Sequence, residues 1–128
     1  MMRESFPIMS QLSKAVSIHP YFKINEGRVD DFKSLMNDFV ASTRSEAACL
    51  YYDFSICDDV AFCREAYVDA DAILAHLENV GAHLEASGSL AEMTRLEMHG
   101  PADQLDKLRG PLAELPVEYF VHVTGVQK

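Results

Sequence analysis

The chain has 128 residues, 48% hydrophobic and 24% charged, with a formal net charge of -9. That length and mixture describe one globular domain with a real core and argue against disorder. The acid excess offers nothing to phosphate backbones or an anionic membrane surface, and no apolar run approaches the ~20 residues that span a bilayer, so no nucleic acid or membrane partner is expected.

Residues 1–16 carry Pro7, Ser10, Gln11, Ser13 and Lys14 without a continuous apolar stretch. They read as an N-terminal extension rather than a secretory signal, with the domain proper over 17–128. The three cysteines, Cys49, Cys57 and Cys63, are odd in number and lack CxxC spacing. They read as reduced thiols, which places the chain in the cytoplasm.

Residues 17–24 (SIHPYFKI) alternate Ile18, Phe22 and Ile24 against His19, Tyr21 and Lys23, a strand pattern. Pro20 donates nothing to a ladder and so predicts an edge or a strand opening. After the turn Asn25-Glu26-Gly27, the apolar residues Val29, Phe32, Leu35, Met36, Phe39 and Val40 recur at helical spacing. Residues 48–56 (ACLYYDFSI) and 60–68 form a predicted hairpin around Cys57-Asp58-Asp59.

Asp69 or Asp71 can cap the next helix, whose buried stripe is Ile73, Leu74, Leu77, Val80 and Leu84, with Gly88 as its stop. Residues 90–99 read as a long strand. A short helix follows from Pro101 through Arg109, and a last strand covers 117–124.

The order β-α-β-β-α-β, then a helix and a strand, predicts an α+β fold. It is a ferredoxin-like antiparallel sheet with helices on one face and an extra C-terminal helix and strand. The strands are apolar or aromatic at nearly every position, as in Leu50-Tyr51-Tyr52 and Tyr119-Phe120-Val121. A sheet so built needs cover on both faces. Pairing with an identical sheet supplies it, so a homodimer through the sheet face is expected, with the strand after Pro116 reaching toward the partner.

From about His19 to Thr124 the pattern resembles the antibiotic biosynthesis monooxygenase family of dimeric α+β barrels. The residues that carry the likeness are Glu26-Gly27, Phe32, the helix end Val40-Ala41-Ser42-Thr43-Arg44-Ser45-Glu46, Leu50-Tyr51-Tyr52, Glu65-Ala66-Tyr67 and the stretch from Ala72 to His76. The resemblance implies hydroxylation of a small phenol or quinol by oxygen, with no metal, flavin or haem. A phenolate can itself reduce oxygen, so such a protein needs a base, hydrogen-bond donors and a dry aromatic pocket. The haem-degrading branch of the superfamily places a Trp at the end of the third strand. This chain has no Trp, and Tyr67 stands there instead.

The candidate catalytic residues are His76 as base, Tyr67 as donor, and Glu65, two residues before Tyr67 on the same strand face, to orient the imidazole. Tyr52, Tyr51, His19 and Arg95 complete the candidate substrate-binding set. Each has a plainer reading. His76 can be a solvated helix residue, Tyr67 a core residue, and Glu65 a cross-strand partner of Arg95. Adjacent Tyr51 and Tyr52 face opposite sides of the sheet, so at most one lines a pocket on the helix side. No HxH, HxxxH or HExxH spacing occurs, and no metal site is expected. Three functions follow: a cofactor-independent monooxygenase, a lactone isomerase or cyclase that moves a proton without oxygen, and a non-catalytic binding dimer.

Overall fold

The structure, a computed structural model, describes residues 12–127, so most of the expected N-terminal extension lies outside the described residues. In chain order the elements are β1 (Val16–Ile24), α1 (Val29–Thr43), β2 (Cys49–Cys57), β3 (Val60–Tyr67), α2 (Ala70–Asn79), α3 (Gly81–Ser87), β4 (Ala91–Gly100), α4 (Ala102–Arg109) and β5 (Val117–Val121). They build the ferredoxin-like α+β arrangement, one sheet in the order β2-β3-β1-β4-β5. Among the described residues no helix is long and apolar enough to cross a membrane.

Local chemistry explains the elements. Gly27, with φ of +79°, turns the chain out of β1 in a conformation that side chains resist. In α1, Asp30 and Asp31 sit in the first turn, where the helix dipole favours negative charge. Phe32, Leu35, Met36 and Phe39 of that helix are buried. Burying a side chain such as Phe32 contributes on the order of 2–3 kcal/mol.

Three features differ from the sequence expectation. Pro20 lies in β1, which pairs with both β3 and β4 at the centre of the sheet and not at its edge. The ladder gives way instead. Pairing with β3 lapses between Ile18↔Glu65 and Tyr21↔Phe62. On the other side, β4 shifts register between Tyr21 and Phe22. A missing N–H is tolerated in a central strand when the neighbouring strands loosen around it.

The helix expected to run from Asp69 or Asp71 to Gly88 is two helices. Val80 leaves helical geometry (φ -101°, ψ 12°) and Gly81 starts α3. Glycine lowers helix stability by about 1 kcal/mol relative to alanine, which concentrates the break there.

The last strand, expected to reach toward a partner, lies parallel to β4 in its own sheet, from Leu96↔Val117 to Gly100↔Val121. The crossover helix α4 buries Leu105 and Leu108 in the same core and returns the chain beside β4. The sheet is therefore mixed, with four antiparallel strands and one parallel edge.

Two apolar clusters lie between sheet and helices. One joins Val16, Ile18, Tyr67, Ile73, Met98 and Leu105. The other joins Phe22, Phe32, Phe39, Ala61, Val80 and Ala91. The space between them is the cavity described next.

Candidate active site

Strand alternation aims Ala61, Cys63, Glu65 and Tyr67 of β3 at the helices, and all four are buried. Across the ladder, Tyr52 of β2 stands opposite Glu65 and Phe54 opposite Cys63. Helix α2 is locked at its start. Asp69 accepts a hydrogen bond from the Ala72 N–H at 2.9 Å, and Gln104 of α4 accepts one from the Ala70 N–H at 2.9 Å. Two turns later His76 enters the space above β3 with 2% of its surface exposed.

The result is a chain of polar groups in an apolar setting. The Tyr67 hydroxyl donates to Glu65 Oε1 at 2.5 Å. His76 Nε2 lies 3.4 Å from the same oxygen. On the far side of the ring, His76 Nδ1 lies 3.0 and 2.9 Å from the two oxygens of Glu46. A carboxylate only accepts, so Nδ1 carries the proton and Nε2 presents a lone pair toward Glu65. Asn79, one turn beyond His76, donates to Glu46 Oε2 at 2.7 Å and to the Ser42 carbonyl at 2.9 Å, fixing the carboxylate. The imidazole is gripped by Tyr67 and Tyr52, with ring centroids 4.8 and 5.2 Å away.

Burial sets the electrostatics. It pushes the Glu65 carboxyl up from 4.5 to about 7, Glu46 adds to the rise, and hydrogen bonds from Tyr67 and Cys63 oppose it. Burial lowers His76, against the upward pull of its bond to Glu46. Burial and the Glu65 charge both raise Tyr52, Cys63 and Tyr67, which stay protonated donors. Near neutrality a carboxyl poised between acid and base faces a neutral imidazole.

Glu65 and His76 line a cavity of about 340 Å³. Its other walls are almost wholly apolar, with Phe22, Phe39, Tyr52 and Phe54 toward β1, β2 and α1 and with Leu84, Met93 and Leu115 farther along. A cavity of that size and lining takes a small organic molecule. Among the described residues no group of three or more His, Cys, Asp or Glu is placed to hold a metal ion.

Of the expected site residues, the fold brings His76, Tyr67, Glu65 and Tyr52 together. It sets Tyr51, His19 and Arg95 elsewhere. Tyr51 pairs with Ala66 and stacks under Arg64 on the outer face of the sheet. His19 meets His99 and Phe62 there. Arg95 pairs with Glu97 and Glu118 on that face, not with Glu65. Glu65 itself faces His76 Nε2, and the residue that orients the imidazole is Glu46. The sequence named Glu46 only within the helix end that carries the resemblance and not as a site residue, since it lies 30 positions from His76 with no local spacing to tie the two.

No family model matches the sequence, and neither does any curated protein. Solved structures do. MupZ from Pseudomonas fluorescens is 37% identical, with 90% of this chain and 95% of MupZ covered and a TM-score of 0.87. At 19% and 15% identity, proteins named as "putative antibiotic biosynthesis monooxygenase" from Caulobacter crescentus CB15 and Chloroflexus aurantiacus J-10-fl share the fold. Their TM-scores are 0.62 and 0.59, they cover 68% and 70% of this chain, and the overlap spans 89% and 94% of their own. The chain belongs to one family with MupZ, built on the antibiotic biosynthesis monooxygenase fold.

Proposed function

We propose that this protein is an acid–base enzyme that acts on a small, largely apolar substrate without a prosthetic group. The observation that carries the reading is the Glu65–His76 pair, 3.4 Å apart in the wall of an otherwise apolar cavity. A general acid and a general base are most effective when each titrates near the working pH. Burial brings Glu65 to that point, and Glu46 holds His76 in the tautomer that leaves Nε2 free to take a proton.

The first reaction of this kind is oxygenation of a phenol or quinol. Tyr52, Phe39 and Phe54 supply aromatic walls, the pair removes the phenolic proton, and the phenolate carries the electrons to oxygen. The fold shared with proteins named as monooxygenases supports it. The second is isomerisation or cyclisation without oxygen, which takes a proton from one substrate atom and delivers one to another. A specific observation favours it: one carboxyl close to neutrality stands beside a neutral base, so donor and acceptor are present together.

An oxygen electrode with a panel of hydroquinones, read beside the same substrates under strict anaerobiosis, separates the two. Oxygen uptake that disappears in His76→Ala supports the first. Anaerobic conversion of unsaturated or ring-containing lactones that disappears in Glu65→Gln supports the second. Ligand-induced thermal stabilisation with no turnover of either kind would sink both and leave a binding protein.

We also propose a cytoplasmic homodimer that meets through the outer face of the sheet. Support comes from half-exposed His19, Tyr21 and Phe62 and from exposed Tyr51 and Phe120. That much aromatic surface is unusual for a solvated sheet face.

A further inference from the structure

We propose that Glu46 and His76 form a proton passage from Glu65 to a second cavity, so that the buried acid exchanges protons with solvent while substrate fills the first. The inference rests on the acid–base reading above. The second cavity, about 230 Å³, is lined by Val40, Thr43, Arg44, Glu46, Cys49 and Tyr52. Tyr52 is the wall common to both cavities. Glu46 lines the second and not the first, and its side chain is 16% exposed against 2% for His76 and 6% for Glu65. Glu46 is thus the most exposed of the three, and the two buried groups reach the second cavity through it.

The two cavities differ in chemistry. The first is apolar apart from the Glu65–His76 end, so an apolar ligand would seal it against water. The second is lined by Arg44 and Glu46 among its six residues and has the polar partners and room to admit water. For an outward passage, the Glu65 O–H bond breaks as an N–H bond forms at His76 Nε2. The Nδ1–H bond then breaks as an O–H bond forms on Glu46, which releases the proton to water. Only protons move, and the imidazole ends with its proton on Nε2. An inward passage reverses each step and restores the first tautomer. Tyr52, Tyr67 and Cys63 also face Glu65, but all three are raised by burial and act as fixed donors.

The test is the rate at which the His76 imidazole N–H exchanges with water, read by NMR in the whole ¹⁵N-labelled protein without substrate. Val40→Phe fills the second cavity, and Cys49→Met, from a different element, is the alternative should the first fold poorly. Leu84→Phe fills the substrate cavity. Glu46→Gln keeps a carbonyl to accept from Nδ1 but cannot carry the proton.

Val40→Phe, Cys49→Met and Glu46→Gln are expected to slow exchange by about tenfold, and Leu84→Phe to change it by less than about twofold. Slowing by Leu84→Phe alone, or a wild-type rate in Glu46→Gln, would overturn the passage. Because the readout needs no turnover, such a failure leaves the acid–base reading standing, and loss of that reading leaves the exchange result intact.

Discussion

Replacing Glu65 with Gln isolates the energetic consequence of burying one carboxyl. Its folded-state value of about 7 lies well above the ordinary 4.5. Between those two points the folded protein holds a proton that the unfolded chain has released, so stability falls as pH rises. The contribution is fully present below pH 4.5 and essentially lost above pH 8. The gap is worth about 3 kcal/mol at 1.36 kcal/mol per pH unit. His76 works in the opposite direction. Its lowered value means the unfolded chain binds the extra proton, so stability rises as pH climbs through the ordinary value of 6.5.

Glu65→Gln retains the acceptor for the Tyr67 hydroxyl, has nothing to titrate, and leaves the His76 contribution in both proteins. Urea denaturation of both proteins at pH 5, 6, 7 and 8 therefore gives a difference that belongs to Glu65. The wild type is expected to lose roughly 2–3 kcal/mol relative to the variant across that range, part of the full gap already lying below pH 5, with most of the change between pH 5 and 7. Parallel curves would refute the claim that this carboxyl is held protonated by burial.

His76→Ala removes a ring packed between two tyrosines and strands Glu46 beside Asn79 alone. It is expected to cost about 2–4 kcal/mol in denaturant unfolding and to abolish turnover. Gly100→Ala would place a Cβ 3.0 Å from Val16 Cγ2 and 3.3 Å from the Ala15 carbonyl, so a loss of about 1–2 kcal/mol is expected in thermal melts. In sedimentation experiments the wild type is expected as a dimer and Phe62→Asp, on the outer face, as a monomer. A monomeric wild type would remove the proposed interface.

Much of the fold was legible because its signals are local. The helical spacing from Val29 to Val40 is carried by residues a few positions apart, and the parity of Glu65 and Tyr67 follows from strand alternation alone. The break at Gly81 was visible as a glycine but hidden by the apolar stripe Leu77, Val80 and Leu84, which continues across it. Pro20 misled because its placement depends on what neighbouring strands tolerate. The candidate site was half legible. Tyr52 and Tyr51 could be assigned to opposite faces but not to particular ones. The β2–β3 register slips between Cys49 and Tyr51, and parity cannot be counted through a bulge. His19 and Arg95 were misplaced for want of the same register. The role of Glu46 was not legible, because only tertiary packing carries it to His76.

The interruption between α2 and α3 divides the roof of the apolar cavity into two unequal parts. The first is pinned by Asp69, Gln104 and the Glu46–His76–Asn79 bonds, whereas the second, with Ser87 buried, is held by the Ser42–His83 hydrogen bond, the His83–Phe39 ring contact and half-buried Leu84. Local opening draws on the least anchored segment. Amides of 81–87 should consequently trade hydrogen for deuterium well before those of 70–79, and a guest could slip in beneath a fraying flap while the His76 ring never leaves its post.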